Sequence, residues 1–316
     1  MPQHFSVVLS GGGCKTFWSV GALDVLEHRL PKVDHWAGVS AGAAMALGRV
    51  AGRFERSFAR FLASVAANPR NFYPGRALRR QRAFPHDSMY RNAVSDLLRD
   101  EGFAKIRAGA PVHILLSYVH AGRRFVPTTW PAVQAFAERR LRGILHGPTE
   151  LPAGIGVEVV CSREAMDVAQ LVDWTLMSST IPPITPIHRK AGRRYLDGGL
   201  IDNLPIRALP AEARAPGSKI LCLVSHRVRV PSKPVLEPGG AAVLYLPALD
   251  ELPVRVWDYT SAERVQAAIE LGRRDAKILL DRVARFVDTQ VPAQASPDDL
   301  LSSHVGGGFT SPGRTA

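Results

Sequence analysis

Two stretches near the N terminus decide the fold: residues 5–15, FSVVLSGGGCK, and residues 33–50, VDHWAGVSAGAAMALGRV. In the first, the apolar run Phe5 to Leu9 has the length of a strand and stops at Ser10-Gly11-Gly12-Gly13. Beyond the glycines, Val20, Leu23, Leu26 and Leu30 recur near helical spacing and predict a helix over 20–30. In the second, the extended piece Val33 to Ala37 runs into Gly38-Val39-Ser40-Ala41-Gly42, after which Ala43 to Val50 reads as a helix with small residues facing its neighbours. Strand, tight turn and helix, given twice in succession, are the opening of an α/β layered fold.

Outward from this start the same alternation continues. Arg53 to Val65 reads as a helix with the apolar stripe Phe54, Phe58, Phe61, Leu62 and Val65, assigned to core packing ahead of a ligand groove. Residues 68–87 mix Pro69, Pro74, Gly75 and Pro85 with Arg76, Arg79, Arg80 and Arg82, which predicts an irregular basic excursion and a candidate lid. Val112 to Val119 and Arg123 to Val126 flank Ala121-Gly122 as a hairpin or two neighbouring strands. A helix follows over 131–146 with Arg139, Arg140 and Arg142 on its outer side, then a strand from Gly156 to Cys161 and a helix from Ala165 to Met177. Arg193 to Leu196 is extended, and Lys219 to Ser225 is a further strand. Residues 231–253 contain five prolines and an adjacent glycine pair, so a long surface loop is expected there, ahead of a helix over 260–286.

Composition sets the limits. The chain has 316 residues, 46% of them hydrophobic, which excludes a disordered or collagen-like polymer and gives ample material for a core. Residues 1–290 are expected to form one domain, and the Ser-, Gly-, Pro- and Asp-rich 291–316 a disordered tail. Cys14, Cys161 and Cys222 are too scattered for a disulfide framework and form no CxxC pair, so a reducing compartment is expected. Phe5 to Leu9 lacks the basic flank and length of a secretory signal, and no apolar run is long enough to span a bilayer. A cytoplasmic protein is the expectation, with export by a route lacking a classical signal left open. With 40 Lys plus Arg against 28 Asp plus Glu, the net charge of +12 suits nucleic acid, anionic lipid or an acidic substrate equally.

Three motifs carry chemistry. Gly38-Val39-Ser40-Ala41-Gly42 is a G-x-S-x-G between an extended segment and a helix, which projects a serine hydroxyl at a positive helix end. Gly11-Gly12-Gly13-Cys14-Lys15 lets backbone N–H groups converge on one point, as an oxyanion requires. A Walker loop fails there because Cys14 rather than glycine precedes Lys15, and a dinucleotide loop fails for want of a G-x-G-x-x-G in register. Asp197-Gly198-Gly199 places a carboxylate on a chain able to approach the nucleophile closely. A Ser–acid–His triad would need His226 or His304 after the acid, and its fold puts the nucleophile behind several strands, whereas Ser40 follows only two.

In these three motifs, taken in order, the chain resembles bacterial patatin-like phospholipases. Gly11 to Lys15 matches the family's oxyanion loop, Gly38 to Gly42 its nucleophile elbow and Asp197 to Gly199 its dyad segment. The similarity extends to Ser178-Ser179-Thr180-Ile181-Pro182, to Asn203-Leu204-Pro205 and to the late helix around Ala268 to Ala276. It implies a three-layer α/β/α fold with a central, mostly parallel sheet. It also implies hydrolysis of fatty-acyl esters by Ser40 and Asp197, without a catalytic histidine, metal or other cofactor. Gly12, Gly13 and Cys14 would supply the oxyanion amides, and Lys15 would meet an anionic group or point to solvent. Thr16 stands where the family usually has glycine, and is expected to alter the start of the helix and the pocket mouth. An acyltransferase with the same serine, and a non-catalytic lipid-binding protein, are the alternatives. The partner expected is a lipid ester, with peripheral contact to an anionic membrane and no nucleic acid. Oligomeric state leaves no mark in the sequence.

Overall fold

The computed structural model describes residues 3–289. The tail expected to be disordered and His304 lie outside them. The chain opens with β1 (Phe5–Leu9), α1 (Phe17–Leu26), β2 (His35–Gly38), α2 (Ala41–Ala51) and α3 (Phe54–Ala66). A short α4 (Pro74–Leu78), α5 (His86–Leu98) and α6 (Gly102–Ala108) lead to β3 (Val112–Val119), α7 (Phe125–Leu141), β4 (Ile155–Cys161) and α8 (Val168–Met177). The remainder is β5 (Arg189–Lys190), β6 (Arg193–Leu196), β7 (Lys219–Val224), β8 (Val235–Leu236), β9 (Ala242–Pro247) and α9 (Ala262–Asp288).

Five strands run parallel in the order β3-β2-β1-β7-β9, and antiparallel strands finish both ends. These central strands are buried on both faces, which is why they read as continuous apolar runs. The two faces are covered unequally. Val7, Leu9, Ile114, Leu116, Leu221, Leu223, Leu244 and Leu246 pack beneath α1, α2, α3, α5, α8 and α9. Val8, Ile220, Cys222, Val224 and Val243 pack beneath the 204–213 segment and its short 3₁₀ turns, and α7 covers Val119 and Leu196. The result is the expected three-layer α/β/α arrangement around a mostly parallel sheet. Among the described residues no helix is long and apolar enough to cross a membrane.

One pairing positions the site. β4 occupies one edge of β3 along its whole length, from His113 opposite Cys161 to Val119 opposite Ile155. The other edge is shared: β2 pairs with Trp36 to Gly38 against Val112 to Ile114, and β6 pairs antiparallel with Leu196 to Arg194 against Ser117 to Val119. β2 and β6 therefore point their C-terminal ends at each other across Leu115 and Leu116, which neither strand pairs with on that edge.

Three expectations are corrected. Arg123 to Val126 is not a strand, and the helix expected over 131–146 occupies Phe125–Leu141 instead. Pro127 lies in its first turn, where a missing N–H is harmless, and Pro131 is tolerated within it at the loss of one hydrogen bond. The stretch 231–253 is not one loop, because β9 lies in it as a fully buried sheet strand and Gly239-Gly240 turns the chain from β8 into it.

Candidate active site

Ser40 stands between β2 and α2 with φ 54° and ψ −134°, a conformation that costs a non-glycine residue energy and is held only by its surroundings. The restraint is visible. The Ser40 amide donates to Ser178 Oγ at 2.8 Å, and that hydroxyl donates to the carbonyl of Leu115 at 2.8 Å, on the stretch of β3 that neither β2 nor β6 pairs with. Gly38 ends β2 opposite Leu9 and Ile114, and Gly42 closes the elbow by donating its amide to Val39 O at 2.9 Å.

Asp197 follows β6 directly. Its amide donates to Thr180 O at 2.7 Å, and the next amide, of Gly198, donates to Ser178 O at 3.1 Å. Ser178 to Thr180 thus grips both sides of the site, the elbow through a side chain and the acid through backbone. A Cβ at Gly198 would sit 2.3 Å from Leu115 O, so only glycine lets this segment lie against β3. The Asp197 carboxylate accepts from the Gly199 amide at 2.7 Å. Burial pushes its pKa from 3.8 up to about 6, against the downward pull of the Ser40 hydroxyl and the Gly199 amide. Ser40 and Asp197 are therefore brought together, both buried.

The glycine loop lies beside them. Gly11 donates its amide to Asn203 O at 3.3 Å and accepts from Asn203 Nδ2 at 3.4 Å, which ties the loop to the segment after Asp197. Gly13 has φ 55°, and a Cβ there would lie 2.2 Å from the carbonyl of Val256. The Cys14 amide donates to that same carbonyl at 3.0 Å, so it is engaged and is not a free donor for an oxyanion. Burial raises the Cys14 thiol well above its usual range, and Sγ donates to Asp258 O at 3.4 Å. Among the described residues the amides of Gly12, Gly13 and Ala41 have no acceptor, the last being the first residue of α2. Thr16 takes a helical conformation at the start of α1, and its hydroxyl donates to Gly13 O at 2.7 Å, bracing the loop.

Two cavities flank this centre. One of about 50 Å³ is apolar, lined by Gly13, Ala41, Phe17, Phe54, Phe58 and Met45 among others. Phe61 and Val65 join the core as expected, with Phe54, Phe58 and Leu62 packed against it, and Phe54 and Phe58, half-buried and stacked at 5.4 Å, also wall this cavity. The other, of about 220 Å³, is cationic: Lys15, Arg139, Arg140 and Arg227 line it with His226, Asn203 and Gly199, against one carboxylate, Glu251. None of these four cations is in a salt bridge among the described residues. Burial, with Arg140 and Lys15 nearby, holds His226 down to about 4, so its ring is neutral at physiological pH. It makes no hydrogen bond to Ser40 or Asp197 among the described residues.

Sequence reasoning missed Tyr90, whose hydroxyl donates to Ser40 O at 3.4 Å and accepts from Ser179 Oγ at 3.2 Å. No local signal marks it, since α5 reaches the site only through tertiary packing. Among the described residues no three His, Cys, Asp or Glu side chains gather as a metal site.

No curated protein sequence matches the chain. Among solved structures, VipD from Legionella pneumophila is similar at 13% identity with a TM-score of 0.41, over 89% of this chain and 67% of that one. The family model described as patatin-like phospholipase matches residues 7–210, from β1 to just past Asn203. That match takes in both glycine turns and the aspartate segment, and the chain belongs to the patatin-like phospholipase family, a family of lipid acyl hydrolases.

Proposed function

We propose that the protein is a serine acyl hydrolase that cleaves fatty-acyl esters of phospholipids or lysophospholipids through an acyl-Ser40 intermediate. The observation that carries this reading is the meeting of β2 and β6 on one edge of β3, which delivers Ser40 and Asp197 to the same buried point. Asp197 takes the Ser40 proton as Oγ attacks the ester carbonyl. The amides of Gly12, Gly13 and Ala41 receive the negative charge that develops on the carbonyl oxygen. The alcohol departs with a proton from Asp197, and water, deprotonated by the same carboxylate, attacks the acyl carbon and releases the fatty acid as Asp197 returns that proton to Ser40 Oγ. The apolar groove supports an acyl chain on one side. The cationic cavity supports a phosphate on the other, which favours phosphate-bearing esters over neutral ones. Nucleic acid has no part in this reading.

Purified Ser40→Ala protein is expected to lose hydrolysis of a lysophospholipid by at least about 10³-fold while keeping its fold. Products are identified by mass spectrometry, with and without an acceptor alcohol. Retention of wild-type turnover by Ser40→Ala would remove the nucleophile assignment, and an acylated acceptor in place of free fatty acid would make the protein a transferase.

A further inference from the structure

The outer side of α7 is apolar although it faces solvent. Val126 is 70% exposed, Trp130 59%, Val133 42% and Leu141 90%. With Ala137 they recur every three or four residues, so they form one stripe along the helix, and Ile144, 50% exposed, extends it beyond the last turn. The inner side packs through Thr129 and Ala132. Single exposed apolar residues are ordinary, but a continuous stripe marks a surface that is covered in use.

The charges around the stripe choose its occupant. Residues 123–142 hold Arg123, Arg124, Arg139, Arg140 and Arg142, and a single carboxylate, Glu138, that pairs with Arg142 at 2.6 Å. An apolar stripe framed by guanidinium groups complements a bilayer, whose anionic headgroups overlie an acyl interior. A second copy of this chain would instead set its own arginines against these. The helix is also continuous with the site, since Phe136, Arg139 and Arg140 line the cationic cavity beside Lys15 and Gly199.

We propose that α7 is the surface by which the protein docks on an anionic lipid bilayer. Val126, Trp130, Val133 and Leu141 enter the acyl boundary, Arg123, Arg124 and Arg140 meet the headgroups while Arg139 is held inward by the carbonyls of Leu200 and Ile201, and the mouth of the cationic cavity is held at the headgroup plane. The choice of a lipid occupant rests on the acyl-hydrolase reading; docking itself needs no turnover.

The test uses the full chain carrying Ser40→Ala, sedimented with vesicles of phosphatidylcholine mixed with phosphatidylserine. Trp130→Asp is expected to weaken binding about tenfold, with an unchanged thermal midpoint because the residue is exposed. Phosphatidylcholine alone is expected to bind more weakly. On binding, tryptophan emission shifts to the blue, and Trp130→Phe, which preserves an apolar side chain, binds but loses that shift. Binding that Trp130→Asp leaves unchanged overturns the proposal, as does a dimer in solution that Trp130→Asp takes apart. Hydrolysis of a short, monomeric ester by the protein with Ser40 intact reports on the acyl-hydrolase reading separately: its absence beside intact vesicle binding sinks that reading and not the docking.

Discussion

At Asp197 burial and function pull in opposite directions. A carboxyl raised to about 6 is ionised at neutral pH yet a stronger base than an exposed one, which suits proton abstraction from a serine. The rate, as kcat/KM, is expected to rise with pH through a limb near 6; a limb near 4 would mean that the acting base is a solvated carboxylate. The sign for stability is the reverse. The native state holds this proton more tightly than the unfolded chain, so the contribution is whole below about 4 and is lost as pH rises through about 6. Asp197→Asn should therefore slow hydrolysis by about 10²–10⁴-fold and stabilise the protein at pH 8 by up to about 3 kcal/mol. Urea unfolding at pH 8 and pH 4 checks this, and a gain of equal size at both would contradict it. Ser40 and Asp197 were legible because each sits in a turn whose glycines are adjacent in sequence. Ser178, which bonds the Ser40 amide and β3, and Asn203, which brackets Gly11, stood in quoted motifs, but their tasks were not legible because their partners lie on other elements.

Among the elements, α1 and α9 approach backbone to backbone. A Cβ on Gly21 would lie 1.9 Å from Ile269 O, and one on Gly272 would lie 2.0 Å from Trp18 O, so backbone meets backbone at this crossing. Trp18 Nε1 donates to the fully buried Asp275 at 2.9 Å next to it. Gly21→Ala is expected to cost about 1–3 kcal/mol by forcing the helices apart, read as a lowered denaturation midpoint; a variant as stable as wild type would show that the crossing has slack. Helices such as α9 were legible from apolar period. β9 was not, since the surrounding prolines and glycines outweighed the short run Ala242 to Leu246, and only pairing with β7 makes that run a strand. α7 was misplaced for a related reason. Its apolar residues lie outward, so the pattern that normally marks a buried helix face had no core to refer to.

For the whole molecule, the excess of positive charge is organised. Much of it is paired on surface helices, as between Arg273 and Asp24, while the cations lining the cavity beside Gly199 have no carboxylate partner among the described residues, and Arg139 is held by the carbonyls of Leu200 and Ile201. Unpaired guanidinium groups facing one cavity raise the local concentration of anions, and a phosphate there gains charge-assisted hydrogen bonds. Arg227→Gln, outside α7, is expected to raise KM for a monomeric phosphate-bearing ester about tenfold with kcat little changed, and to raise it less for a neutral ester. Equal effects on both substrates would remove the phosphate from the account of this cavity.

The shared edge of β3 also sets an order in time. Ser40 belongs to the first βαβα unit, whereas Asp197 arrives only when β6 takes the stretch of β3 that β2 leaves open. Contacts so distant along the chain form late, after the loop between them has closed. Esterase activity should thus emerge during refolding as an end-point signal, absent from any intermediate that has built only the N-terminal half, and the nucleophile stays silent until the sheet is complete.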